Sequence, residues 1–268
     1  MNRIDQKFAE LKASGQTAYI PFISIGDPSL ETSLEIIAEL EKAGADMVEL
    51  GVPYSDPLAD GPVIQRASER ALQNRVTLMD CIQVGRKARD NGVQLPFILF
   101  TYYNPVLQFG LEHFFDTIKE NEISGLIIPD LPLEEDSEVR QLAEKYDIHL
   151  IPLVAPTSKE RVERIASKAK GFVYCVSSLG VTGERSSFSE EIDTFIRTVK
   201  EAANVPVAVG FGISSREQFE FFSRMCDGVI IGSAIVRSIE SNVELLKKAE
   251  TKEQGLLQIR EFVSSLKA

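Results

Sequence analysis

The sequence contains no tryptophan, only two histidines and three cysteines, and no apolar run approaching the roughly 18 residues that a membrane-spanning helix needs. Each shortage excludes something. Cys81, Cys175 and Cys226 are odd in number, widely separated and without a Cys-x-x-Cys spacing, so neither a disulfide framework nor a cysteine zinc site is expected. A reducing compartment fits. Basic residues are also in the minority: 29 Lys and Arg against 40 Asp and Glu leave a formal charge of −11. Nucleic acid is therefore not expected as the main partner, because binding a phosphate backbone requires a basic face that displaces counterions. No signal-like apolar run opens the chain; Ile4, Phe8 and Leu11 recur at helical spacing among charges, so a soluble, cytoplasmic protein is expected.

What is there is an alternation. Eight short apolar runs, at 19–24, 47–51, 96–101, 125–128, 148–154, 171–176, 205–210 and 228–232, are separated by segments with apolar residues at i, i+3, i+4 and i+7. Leu111/Phe114/Phe115/Ile118 and Ile192/Phe195/Ile196/Val199 are two of these one-faced helices. Capping-box patterns at Thr157 to Glu160, Ser187 to Glu190 and Ser214 to Glu217 predict three helix starts. Strand alternating with helix implies parallel strands joined by crossover helices, and eight such units in 268 residues fit a closed (β/α)₈ TIM barrel of the phosphate-binding type, one domain over 1–268 with an extra N-terminal helix. The open doubly wound sheet is the alternative. Its Gly-x-Gly-x-x-Gly fingerprint is missing after the first run, where the chain reads Ser-Ile-Gly-Asp-Pro.

Barrel active sites lie at the C-terminal ends of the strands, so the residues following each run carry the functional expectations. In the second run Met47, Glu49 and Gly51 share one face and Val48 and Leu50 the other, which turns Glu49 inward. A carboxylate in an apolar interior is costly to ionise, so its pKa is expected to rise. The loop that follows reaches Asp60 within Leu-Ala-Asp-Gly-Pro, and could set it opposite Glu49 across a pocket lined by Phe22, Tyr102, Tyr174 and Phe211. Two carboxylates in different environments are a known way to divide acid and base roles. Gly210-Phe211-Gly212 and Gly232-Ser233, with a short helix through Arg237, stand where barrels of this kind cradle a phosphate. The run from Ser177 to Phe188, with Gly180 and Gly183, has the composition of a mobile lid.

Two absences narrow the chemistry. No apolar run contains Lys or Arg, which leaves no strand-borne Schiff-base lysine. His113 sits beside Phe114 in a helical pattern and His149 near the start of its strand, at the wrong end for catalysis, so no metal site is expected. Carboxylate acid–base chemistry on a substrate with a phosphate handle and an aromatic body remains.

The segments Pro21-Phe22-Ile23-Ser24-Ile25-Gly26-Asp27-Pro28, Glu49 through Pro62, Gly180-Val181-Thr182-Gly183 and Gly210-Phe211-Gly212-Ile213 resemble the tryptophan synthase α chain family, and the similarity extends over essentially the whole sequence. The resemblance implies a cofactor-free cleavage of indole-3-glycerol phosphate to indole and glyceraldehyde 3-phosphate. It implies that Glu49 moves protons between the glycerol hydroxyl and indole C3, and that Asp60 holds the indole N–H. Phe22, Tyr102, Tyr174 and Phe211 would pack around the substrate, Gly183, Gly212, Gly232 and Ser233 would bind its phosphate, and Thr182 would meet Asp60. Phe100 and Ile127 are expected to alter the pocket's shape. A pyridoxal-phosphate-dependent β chain would dock on Pro53, Tyr54, Asp56, Asn104, Asp130 and Pro132 in an α2β2 tetramer. A stand-alone lyase, an inactive barrel that only activates a partner, and another reaction on a related substrate are the alternatives; a ring-closing synthase would want a lysine at the mouth.

Overall fold

The computed structural model describes residues 1–176 and 190–267. The strands are β1 Ala18–Ser24, β2 Val48–Gly51, β3 Phe97–Phe100, β4 Ile123–Ile127, β5 His149–Leu150, β6 Leu153–Val154, β7 Val173–Val176, β8 Val207–Gly210 and β9 Gly228–Ile231. The helices are α1 Arg3–Ala13, α2 Leu30–Lys42, α3 Pro62–Gln73, α4 Leu78–Asp90, α5 Tyr103–Phe109, α6 Leu111–Glu120, α7 Ser137–Lys145, α8 Lys159–Ala166, α9 Glu190–Ala202, α10 Arg216–Ser223, α11 Ser233–Leu246 and α12 Lys252–Lys267. None of the described helices is long and apolar enough to cross a membrane.

Every described strand pair is parallel, in the order β5-β4-β3-β2-β1-β9-β8-β7-β6. The two ends of that order are halves of one run. Pro152 has no N–H to continue a ladder, so the fifth apolar run breaks there: its first half pairs with β4, where Ile151 N–H donates to Leu126 at 2.9 Å, and its second with β7, where Tyr174 N–H donates to the Pro152 carbonyl at 3.0 Å. The sheet thereby closes, and the expected barrel is the fold.

Alternation along the strands separates two apolar layers. Val48 and Leu50 face the helices, whereas Ala18, Ile20, Met47, Ile98, Ile127, Phe172, Ala208 and Ile230 fill the barrel. Ile4, Phe8 and Leu11 of α1 join that inner cluster. Each of the larger side chains among them, Ile, Leu, Met or Phe, contributes roughly 1.5–3 kcal/mol. Asn2 caps α1 and donates to the Ser124 and Asp147 carbonyls at 2.9 Å, while His149 Nε2 lies 2.9 Å from Asp5 Oδ1. The helix thus plugs the N-terminal end of the barrel, and access is left at the C-terminal mouth. His149 belongs to this plug, as its position near the strand start implied; His113 is exposed on α6 and stacks on Phe109.

Beside the mouth, a charge network ties three elements together. Asp27, 1% exposed after β1, receives both Nε and Nη2 of Arg70 on α3 at 2.8 Å, and Arg70 Nη1 reaches Glu240 on α11 at 2.8 Å. Burial pushes the Asp27 carboxyl up and the Arg70 fork opposes it. Removing one partner of a buried pair leaves an uncompensated charge, so Arg70→Ala is expected to destabilise the chain by about 3–5 kcal/mol, read as a lower denaturation midpoint.

Local details depart from expectation in instructive ways. The caps of α8 and α10 are Ser158 and Ser215, each one residue beyond the expected Thr157 and Ser214. A complete capping box stands instead at Thr77 and Asp80, where Asp replaces the usual Glu or Gln. The helix after β9 is not short: α11 runs 14 residues, past Arg237, because Ile235, Val236, Ile239, Val243 and Leu246 keep one buried face. The expected cap at Ser187 and lid at 177–188 lie outside the described residues.

Candidate active site

Glu49 stands in β2, paired in register with Phe22 of β1 and Ile98 of β3. It is 1% exposed, and its Oε1 has no hydrogen-bond partner among the described residues. Burial pushes this carboxyl up from 4.5 to about 8. At neutral pH Glu49 is therefore protonated, a buried acid with a proton to give.

The wall over Glu49 is aromatic. Phe22 and Phe100 meet edge-to-face at 5.5 Å across β2, and the intervening position is Gly51. A Cβ at Gly51 would lie 2.4 Å from the Phe22 ring. A glycine inside a strand often marks such a close approach, a signal available in the sequence. Gly51→Ala is expected to cost about 1–3 kcal/mol through overpacking and to lower turnover by displacing Phe22, checked by denaturation and by steady-state rates.

Tyr174 closes the other side. Its hydroxyl lies over Gly210, where a Cβ would come within 2.6 Å. Burial pushes the phenol well up, and the Glu49 and Asp60 carboxylates push it further, so all three groups share one mouth.

Asp60 comes from the β2–α3 loop, which folds back over the barrel. Ala59 N–H donates to the Tyr102 hydroxyl at 3.0 Å, Gln65 Nε2 donates to the Asp60 carbonyl at 2.7 Å, and Tyr54 stacks on Tyr102 at 4.8 Å. Burial pushes the Asp60 carboxyl up to about 6, against a hydrogen bond from Tyr102 that lowers it. The two carboxyls are thereby split. Near pH 7 Asp60 is ionised and Glu49 is not.

On the opposite rim, α11 begins at Gly232, which supplies no capping side chain, and no acidic residue occupies the first turn. Its N-terminus is therefore suited to an anion. Gly212, at φ +69, adopts the left-handed conformation with open space where a Cβ would stand. The Phe22 side chain lies 3.6 Å from the Cβ position of Gly232, which makes this rim continuous with the aromatic wall.

The structure thus brings Phe22, Glu49, Asp60, Tyr102, Tyr174, Gly232 and Ser233 to one mouth. Phe211 is placed differently. Its ring packs on Phe195 of α9 and Phe222 of α10, in the helix layer, as alternation from inward Gly210 dictates. Thr182 and Gly183 lie outside the described residues. Of the expected partner contacts, Pro53 is buried and Tyr54 half-buried, while Asp56, Asn104, Asp130 and Pro132 are exposed. Asp130 accepts the Tyr103 N–H at 2.9 Å. A cavity of about 400 Å³ lies between the corner at Pro129–Leu133 and α8, and neither Glu49 nor Asp60 lines it.

A family model described as the tryptophan synthase alpha chain matches residues 8–267. The chain belongs to the tryptophan synthase alpha chain family. Among curated members of that family, it is 54% identical to the protein of Geobacillus sp. (strain WCH70) over 250 residues, covering 93% of this chain and 95% of the relative. It is 53% identical to that of Bacillus subtilis (strain 168) over 244 residues, 91% of each. Among solved structures, the tryptophan synthase subunit alpha of Legionella pneumophila superposes with a TM-score of 0.89 at 36% identity, over 99% of this chain and 97% of that one. A chain of Mycobacterium tuberculosis tryptophan synthase gives 0.87 at 32% identity, over 99% and 96%. The alternation read as a barrel, and the four segments read as this family's, agree with these relatives.

Proposed function

We propose that Glu49 and Asp60 divide the acid–base work by which this alpha chain, a carbon–carbon lyase of tryptophan biosynthesis, cleaves indole-3-glycerol phosphate to indole and glyceraldehyde 3-phosphate. The observation that carries the division is the split between the two carboxyls, one pushed to about 8 by burial in the barrel and one held near 6 on its rim. Protonated Glu49 gives its proton to indole C3, and ionised Asp60 stabilises the charge that develops at the ring nitrogen. Glu49, now a carboxylate, takes the proton of the adjacent glycerol hydroxyl. The C3–carbon bond breaks, its electrons return to the ring, and an aldehyde forms. The ring is the electron sink, so neither a Schiff base nor a metal is required by the electron count.

Phe22, Tyr102 and Tyr174 would hold the ring. The open N-terminus of α11 with Gly212, Gly232 and Ser233 would hold the phosphate, aided by Thr182 and Gly183. The family implies a β-chain partner. In our reading it carries pyridoxal phosphate, completes a cytoplasmic α2β2 tetramer and docks on the rim at Pro53, Tyr54, Asp56, Asn104, Asp130 and Pro132, while residues 1–268 form one domain without a cofactor of its own.

The pH dependence of kcat/KM tests the division. The account predicts a bell with limbs near 6 and 8, since the active form is ionised at Asp60 and protonated at Glu49. A profile flat from pH 5 to 9 would contradict it.

A further inference from the structure

Tyr102 is 2% exposed, and a ring so buried beside a pocket reads first as a wall. Its hydroxyl does more than a wall requires. It accepts the Ala59 N–H at 3.0 Å, which fixes the backbone directly before Asp60, and it stands close enough to the Asp60 carboxyl to lower its pKa against burial. Burial and the neighbouring Asp60 charge both push the phenol up, so the hydroxyl keeps its proton beside that carboxylate. The ring is fixed independently of the substrate: Tyr54 stacks on it at 4.8 Å with 23° between planes, and Tyr103 N–H is held by Asp130 at 2.9 Å at the start of α5. One hydroxyl thus holds the backbone, one residue before Asp60, of a loop exposed at Ser55, Asp56, Leu58 and Ala59.

We propose that Tyr102 is a positioning residue, whose hydroxyl clasps the returning β2–α3 loop and aims the Asp60 carboxylate into the mouth opposite Glu49. The role assigned to Asp60 is that of the proposed function, and the inference rests on it. Tyr102→Phe keeps the ring and its stack on Tyr54 but deletes the bond to Ala59 and the hydroxyl beside Asp60. The loop is then free to lift, and Asp60 loses the neighbouring hydroxyl that favours its ionised form.

The experiment compares wild type and Tyr102→Phe, each as the full chain with a tryptophan synthase β chain. The first readouts are kcat and KM for indole-3-glycerol phosphate across pH; the second is the ¹³C-carboxyl titration of Asp60 in the isolated chain. A wall residue would raise KM and leave the titration alone. The clasp predicts a fall in kcat on the order of 10- to 100-fold with KM changed less than about threefold, an acid limb displaced to higher pH, and the same displacement of the Asp60 titration. Wild-type kcat and an unmoved Asp60 titration in Tyr102→Phe would overturn the clasp. Failure of the wild-type complex to cleave the substrate would instead overturn the functional reading, and the carboxyl titration would still decide whether Tyr102 holds Asp60.

Discussion

Glu49→Gln is expected to reduce cleavage of indole-3-glycerol phosphate by on the order of 10³–10⁴-fold while making the chain more stable above neutral pH. The two effects have one cause. Glutamine keeps the volume of the side chain and its place between Phe22 and Ile98, but it has no carboxyl proton to deliver to C3 and no carboxylate to receive one back. The stability effect follows from burial. Glu49 ionises near 4.5 in the unfolded chain and near 8 in the folded one, so between those values the unfolded state releases a proton that the native state retains. The stability associated with this group is therefore complete below 4.5 and falls away as pH rises through about 8, a loss on the order of several kcal/mol. Glutamine does not ionise and loses nothing. The melting temperature of Glu49→Gln is expected to match wild type near pH 4.5 and to exceed it increasingly toward pH 9, at roughly 2–4 °C per kcal/mol for a chain of this size. A gap that is absent at pH 9 would show that Glu49 is not held neutral by burial.

Asp60→Asn is expected to lower kcat by about 10²–10³-fold, the usual consequence of removing one preorganised electrostatic partner of a transition state. Its signature differs from that of Glu49→Gln. Asparagine can still face the indole nitrogen, so KM should change little, whereas the positive charge that develops on the ring during C3 protonation is left without its counter-charge. Because the Asp60 carboxyl sits near 6 in the folded chain, above its unfolded value of 3.8, its ionisation has already cost stability by pH 7, so Asp60→Asn should match wild type below about pH 4 and be modestly more stable at pH 7. The acid limb of the rate profile should also vanish, leaving only the limb near 8. Persistence of a limb near 6 in Asp60→Asn would assign that ionisation to another group.

Much of this site could be read along the chain because barrel geometry converts sequence position into place. A residue in a strand is inside or outside by parity alone, so Glu49 could be turned inward from its neighbours Val48 and Leu50, and the barrel's inner layer carries Met47 as that parity requires. The same rule applied at β8 would have turned Phe211 outward, onto Phe195 and Phe222, since Gly210 faces in. What escaped the sequence were contacts between elements distant along the chain. Nothing near Arg70 indicates that its guanidinium spans Asp27 and Glu240, 43 and 170 residues away. Nor does the Leu-Ala-Asp-Gly-Pro turn reveal that its return over the mouth is fastened by Tyr102. The helix caps failed at a finer scale: at 157–158 and 214–215 two adjacent hydroxyl residues compete, and the extended backbone at Ser158 and Ser215, not the spacing to Glu, decides which one caps.

Indole release from indole-3-glycerol phosphate, followed for wild type, Glu49→Gln and Asp60→Asn, each alone and with a tryptophan synthase β chain, tests the central claim most directly. The account predicts slow release by the wild-type chain alone, faster release in the complex, and collapse of both rates in either variant. Wild-type rates retained in Glu49→Gln, or no release by the wild-type chain even with its partner, would contradict it.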